Sequence, residues 1–165
     1  MLTALDNLTI ETQGTHEEWC WASVTAGVSQ FLDKRPYTID AIVQSVVPGC
    51  GGDGDPMCDI PWPLEDALSA MHHLDHHVTG PISYLALQQA LIDLNRPVAI
   101  GITFSTRLGT ILHYCLVAGC SDDGSNELML LNPALPDPCE YSISYADLVQ
   151  GSVLDAVWTS SFFVI

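Results

Sequence analysis

A single cysteine lies between two tryptophans in the stretch THEEWCWASV, which covers residues 15–24. Free cysteine is among the most buried residue types, and a thiol reacts well only beside a group that takes its proton or lowers its pKa. Cys20 is therefore a candidate nucleophile if the fold places a base near it. The chemistry expected of such a pair is thiol attack on a carbonyl, with histidine as the general base.

Three residues elsewhere in the chain are of the types that such a thiol requires. His113 begins the run HYCLVAGC after a glycine-containing turn, where its imidazole is expected to project into a cleft as the base. Asn132 ends the run ELMLLN, and the turn SDDGSN predicts a hairpin that brings this amide beside His113 to orient the ring. Asp137 is the alternative orienting residue. Gln13, seven residues before Cys20, is the candidate oxyanion-stabilising amide.

The elements that position these residues fall into two parts along the chain. Helical periodicity comes first, in EEWCWASVTAGVSQFLDK, YTIDAIVQSVV, PWPLEDALSAMHHL and SYLALQQALIDLN. Strand-like runs follow from Pro97, in PVAIGITF, HYCLVAGC, ELMLLN, CEYSISY and AVWTSSFFVI. This segregation predicts an α+β fold with an antiparallel sheet. It also places Cys20 in the first turn of a helix, where the helix dipole favours a thiolate.

Taken in order, these motifs resemble the papain-like cysteine peptidases, and most closely the compact bacterial branch that includes avirulence-protein and bacteriocin-leader peptidases. The similarity runs through WCWASV, YLALQQALIDLNRPVAIGI, HYCLVAGCSDDGSNELMLLNPALPDP and ISYADL. It implies Cys20 as nucleophile, His113 as base, Asn132 as orienting residue and Gln13 in the oxyanion hole. It also implies a single papain-like domain over residues 1–165, with a helical lobe over about 15–95, a sheet lobe over about 96–165, and the active-site cleft between them.

Two spacings differ from those of papain itself. Gln13 lies one residue further from the cysteine than in papain-type sequences. The interval from Cys20 to His113 is 93 residues, whereas papain proper has roughly 130–150. The shorter interval fits the compact branch and implies trimmed loops in the sheet lobe.

The resemblance implies hydrolysis of a peptide or isopeptide bond through a thioester acyl-enzyme, without a cofactor. The expected partner is a peptide or protein substrate. Two alternatives remain open at this stage. One is an acyltransferase or transpeptidase in which an amine replaces water, and the other is a catalytically silent cleft that binds a basic protein partner.

The composition narrows the range of partners. The 165 residues include 4 Lys and Arg against 20 Asp and Glu, a net charge of −16, so a nucleic-acid backbone would be repelled. The same negative charge could attract a basic peptide or protein, or could serve only to keep the protein soluble. No apolar run reaches the roughly 18 residues of a membrane span, and the N-terminus lacks the features of a secretory signal. The sequence indicates no oligomeric state.

Cys50 and Cys58 bracket the loop GGDGDPM, which is rich in Gly, Asp and Pro and has little means of packing itself. A disulfide between these cysteines would close the loop. Such a bond forms in an oxidising compartment, so it favours a secreted or translocated protein over a cytoplasmic one. Cys115 and Cys120 lie on one strand-like run and are expected to be small core residues.

The segment HHLDHH contains a second candidate site. On a helix, His72 with His76 and His73 with His77 have the i, i+4 spacing that can hold a metal. A catalytic zinc requires a third ligand and a general base, and no H-E-x-x-H pattern supplies them. The expectation is therefore solvated imidazoles and no metal site.

Overall fold

A largely buried helix, α1 (Cys20–Asp33), packs against the sheet and two further helices in the computed structural model, which describes residues 1–151 and 155–165. Its end lies within one residue of the predicted run, whereas its start lies three residues later, so Glu17 and Glu18 precede the first turn. Gly27 lets the N-terminal segment run close to the helix, because a Cβ there would lie 2.5 Å from Cγ2 of Ile10. The helix ends where Lys34 takes a left-handed φ of 56°.

The described residues also form four shorter helices: α2 (Ile39–Val46), α3 (Leu64–Ala70), α4 (Tyr84–Gln88), which continues as a π-helical turn (Gln89–Asp93), and α5 (Tyr145–Gln150). Ser83 caps α4 as the sequence predicts, since its hydroxyl accepts the N–H of Ala86 at 3.2 Å. Ser144 likewise caps α5 through the N–H of Asp147. Helix α5, which directly follows a strand, was not predicted from the sequence.

Seven strands form one antiparallel sheet in the order β2-β7-β3-β4-β5-β6, with β1 paired to the end of β4. They are β1 (Leu2–Ala4), β2 (Leu74–Thr79), β3 (Val98–Thr106), β4 (Gly109–Ser121), β5 (Glu127–Leu131), β6 (Glu140–Ser144) and β7 (Ala156–Val164). Buried apolar side chains from the helices and the sheet form one continuous cluster. The predicted α+β class is confirmed.

Two strands lie outside the predicted sheet region. Strand β2 belongs to the stretch 15–95, which was expected to be helical, yet it pairs with β7 at the edge of the sheet. Nearly all of its side chains are exposed. An edge strand that is held by backbone hydrogen bonds shows no apolar alternation, so hydrophobic periodicity misses it. Strand β1 has only three residues and gives a similarly weak signal.

Strand β4 begins earlier than predicted, at Gly109, so His113 lies within the strand rather than at its start. The β3–β4 hairpin turns at Arg107 and Leu108, between the paired residues Thr106 and Gly109. Residues 109–112 are exposed and lack a buried face, which explains why the sequence pattern begins only at His113. No helix in the described ranges is both long and apolar enough to cross a membrane.

Candidate active site

Cys20 is the first residue of α1 and is 6% exposed. No side chain caps this end of the helix, and its first turn contains no acidic residue. The N–H groups of the first helical turn have no intrahelical partner and carry the positive end of the helix dipole. The thiol therefore lies where backbone N–H groups can stabilise negative charge on sulfur or on a neighbouring oxygen.

The pKa of the Cys20 thiol lies above its ordinary value of 9.0, mainly because the group is buried. Hydrogen bonding from the backbone N–H groups of Tyr114 and Trp21 acts in the opposite direction, and the carboxylate of Glu18 raises the pKa further. Cys20 is therefore a protonated thiol at neutral pH in this conformation.

His113 and Asn132 are in direct contact. The ring Nε2 of His113 lies 2.8 Å from the side-chain Oδ1 of Asn132, which also accepts the backbone N–H of Ala134 at 3.0 Å. An amide oxygen can only accept, so Nε2 carries the hydrogen and Nδ1 is left as the basic nitrogen. Burial lowers the pKa of His113 below 6.5, and the Asn132 hydrogen bond partly offsets this, so the ring is neutral at pH 7.

Helix α1 begins beside the part of β4 that β5 leaves uncovered. Strand β3 pairs with β4 from Gly109 onwards, whereas the ladder of β5 on the opposite edge begins only at Leu116. The thiol of Cys20 contacts the backbone N–H of Tyr114, the residue after His113. Helix and strand therefore meet beside the base, although no hydrogen bond joins the Cys20 thiol to the His113 ring among the described contacts.

Asp137, the alternative orienting residue, lies elsewhere. It lines a separate recess together with Gln13 and His16, whereas Asn132 contacts the imidazole. The preference for Asn132 over Asp137 as the neighbour of His113 therefore agrees with the geometry.

Gln13 links the two sides of the site. Its backbone N–H donates to the carbonyl of Pro133, next to Asn132, at 2.9 Å. Its side-chain Nε2 donates to the carbonyls of His16 and Glu17 at 2.8 and 3.0 Å. Both hydrogens of the amide are therefore engaged in the turn that leads to Cys20, so in this conformation they are not directed at an oxyanion.

The disulfide-closed loop and the residues just after it hold the two tryptophans that flank Cys20. Cys50 and Cys58 are joined by a disulfide, as the loop composition predicts. The indole N–H of Trp19 donates to the carbonyl of Cys58 at 2.8 Å, and that of Trp21 donates to the carbonyl of Ile60 at 3.0 Å. The two tryptophans therefore attach the start of α1, on both sides of Cys20, to the segment 58–60.

Asp59 is a site residue that sequence reasoning missed. Its carboxylate accepts the backbone N–H groups of Glu17 and Glu18 at 3.3 and 3.0 Å. These bonds fix the turn that precedes α1. The only sequence signal is its place directly after Cys58, because the partners lie more than 40 residues away.

A pocket of about 410 Å³ opens beside the thiol. Its lining consists of Glu18, Cys20, Trp21, Pro61, Trp62, Pro63, Leu112 and Tyr114. Most of these side chains are apolar, and Pro61, Trp62 and Pro63 come shortly after the disulfide-closed segment. A mostly apolar cleft with a few polar groups is typical of a ligand site.

The segment HHLDHH does not form the helical arrangement that its spacing suggests. Helix α3 ends at Ala70, His72 lies in a turn with a φ of 62°, and His76 and His77 lie on strand β2. Neighbouring residues on a strand point to opposite faces, so the i, i+4 pairs are lost. No group of three or more His, Cys, Asp or Glu within the described part of the chain could hold a metal ion.

The remaining cysteines, Cys115, Cys120 and Cys139, are free and buried. Cys115 and Cys120 are core residues of β4, as the sequence predicts. Their burial raises the pKa of each thiol. They are therefore much poorer nucleophile candidates than Cys20, which opens onto a pocket.

The chain matches no family model, and a search of curated proteins finds no match.

Proposed function

We propose that this protein is a cysteine peptidase of papain-like fold that hydrolyses a peptide or isopeptide bond. The observation that carries the proposal is the 2.8 Å contact between His113 Nε2 and Asn132 Oδ1. His113 lies on β4, and Cys20, at the N-terminus of the buried helix α1, lies beside the next residue of that strand. A nucleophile, a base and a group that orients the base are the parts required for acyl transfer.

In the proposed mechanism, a movement of the His113 ring brings Nδ1 to the thiol of Cys20. The sulfur attacks the substrate carbonyl while Nδ1 takes the thiol proton. Asn132 keeps the opposite ring nitrogen protonated and fixes the ring orientation. Because the pKa of Cys20 is raised and that of His113 is lowered, proton transfer accompanies the attack instead of preceding it.

The uncapped N–H groups at the start of α1 stabilise the developing oxyanion. The leaving amine takes the proton from His113, and a thioester remains on Cys20. Water, activated by the same imidazole, then releases the acyl group. Gln13 positions the turn before Cys20 in this scheme, and would act as a direct oxyanion donor only after releasing the carbonyls of His16 and Glu17.

A second candidate function is a silent cleft that binds a basic segment of another protein. It is favoured by the acidic chain and by the absence of a hydrogen bond between the Cys20 thiol and the His113 ring among the described contacts. It predicts binding without any acyl-enzyme.

The test is mass spectrometry of the protein after treatment with an electrophilic peptide probe. We expect one probe per chain, attached to Cys20, and a large loss of labelling in the H113A variant. Iodoacetamide, which requires no peptide binding, serves as the reference reagent for each variant. Labelling of Cys20 at the same rate with and without His113 would contradict the peptidase and favour the silent cleft.

A further inference from the structure

The pocket beside Cys20 combines aromatic walls with a single carboxylate. Trp62, Tyr114 and the fully buried Trp21 form its aromatic lining. Glu18 is the only charged residue among the lining residues. A side chain that fits such a lining is one with a long apolar stem and a positively charged end.

Glu18 is well placed to receive that charge. Its backbone N–H is held by the carboxylate of Asp59 at 3.0 Å, two residues before the nucleophile. Its side chain is exposed, and it forms no ion pair with any described residue. The backbone of Glu18 is therefore held in place, and its exposed carboxylate is available to an incoming cation.

No basic residue of the chain lines this pocket. Lys34 and Arg35 follow the far end of α1, which is 14 residues long and so extends about 20 Å from Cys20. The guanidinium of Arg96 donates to the carbonyl of Val164. Arg107 lies at the tip of the β3–β4 hairpin. A cation from the substrate therefore has no competitor within the lining.

We propose that this pocket selects an arginine or lysine side chain of the substrate, with the stem against the aromatic walls and the charged end at Glu18. This inference rests on the proposed peptidase function and names its substrate class, a peptide with a basic residue close to the scissile bond. The charge of Glu18 also raises the pKa of Cys20. A bound cation would offset that effect, so basic substrates would favour the reaction as well as binding.

Arginine and citrulline form a matched pair for the test, because they have nearly the same shape and differ in charge. We would prepare peptide vinyl sulfones that carry either residue at the first or the second position before the electrophile. The readout is the rate of Cys20 labelling by intact-mass spectrometry, divided by the rate with iodoacetamide. We expect the arginine probe to react about fivefold faster at one of these positions, the factor of a partly exposed ion pair.

The control variant is a neighbouring glutamate. Glu17 has the same charge and its backbone N–H also binds Asp59, but it does not line the pocket. E18Q should bring the arginine to citrulline ratio close to one, while E17Q should leave it unchanged. Equal rates for the two probes in the wild type would overturn the inference, as would an equal loss of the ratio in E17Q and E18Q.

The outcomes separate this inference from the proposed function. Labelling of Cys20 that depends on His113 but shows no arginine preference would overturn the inference and leave the peptidase intact. An arginine preference that is lost in E18Q but does not depend on His113 would support the cationic subsite and contradict the peptidase.

Discussion

Two sets of residues in the chain are of types that could act together chemically. The fold brings the first set together and separates the second. His113 and Asn132 are 19 residues apart in sequence and in direct contact, and Cys20, far from both in sequence, lies beside the backbone N–H of Tyr114, the residue after His113. The four histidines of HHLDHH are close together in sequence, yet His72 lies in a turn, His73 is buried just before β2, and the other two lie on that edge strand. His73 is therefore not the solvated imidazole that the sequence predicts.

The difference shows that proximity in sequence matters less than the element on which residues lie. Residues at i and i+4 share a face only on a helix, so the change from α3 to β2 separates His72 and His73 from His76 and His77. By contrast, two antiparallel strands bring the start of the first strand close to the end of the second, although these residues are far apart in sequence. That geometry places Asn132 beside His113.

The largest expected effect is the loss of the nucleophile or its base. C20A should abolish turnover and covalent labelling, and H113A should lower the rate by a factor of roughly a thousand or more, because such groups act as a unit. Rates are measured with a peptide substrate, and circular dichroism serves as the control for folding. Turnover by C20A near the wild-type rate would contradict the assignment.

Replacement of Asn132 should have a smaller effect, roughly 10- to 100-fold on kcat, since it orients the ring without exchanging a proton. Its hydrogen bond raises the pKa of His113, so N132A should move the acid limb of the kcat/KM profile to lower pH. N132D should move it to higher pH, because a carboxylate stabilises the imidazolium. Identical pH profiles for the two variants would show that Asn132 does not act through His113.

The wild-type pH profile follows from the same two groups. The active form has a neutral His113 and a protonated Cys20. Because the pKa of His113 is lowered and that of Cys20 is raised, the acid limb of kcat/KM should have its midpoint below pH 6.5 and the alkaline limb its midpoint above pH 9. A sharp optimum within this range would indicate that other groups control the reaction.

Removal of the disulfide tests the anchoring of the WCW motif. The double variant C50S/C58S should lose about 2–3 kcal/mol of unfolding free energy, measured by urea denaturation. Cys20 labelling should slow about tenfold at a temperature where the variant is still folded, because Trp19 hydrogen-bonds Cys58 of the closed loop and Trp21 hydrogen-bonds Ile60 just after it. A reductant should slow the wild type and leave the double variant unchanged. A folded variant with the wild-type labelling rate would show that the disulfide stabilises the fold but does not position Cys20.

The smallest effect is expected at HHLDHH. A strong chelator, or the double variant H76A/H77A, should leave the labelling rate within about twofold of wild type, because these side chains are exposed on an edge strand. Reversible inactivation by the chelator, with recovery on adding zinc, would contradict this and reverse the comparison between the two sets of residues.

The sequence alone predicted the α+β class, a helix that begins near Cys20, the cap at Ser83 and the pairing of His113 with Asn132. Each of these depends on a local signal, such as helical periodicity, a capping side chain or a hairpin turn. The same signals failed for β2, because an edge strand that is held by its backbone carries no apolar alternation.

Only the tertiary structure determined what surrounds the thiol. The engagement of Gln13 with the carbonyls of His16 and Glu17, and the contact of Asp59 with the turn before α1, depend on how loops meet. The Glu18 pocket likewise requires residues from α1, the segment after the disulfide and β4 to come together. Such contacts are set by the packing of distant segments, and no periodicity in the chain encodes them.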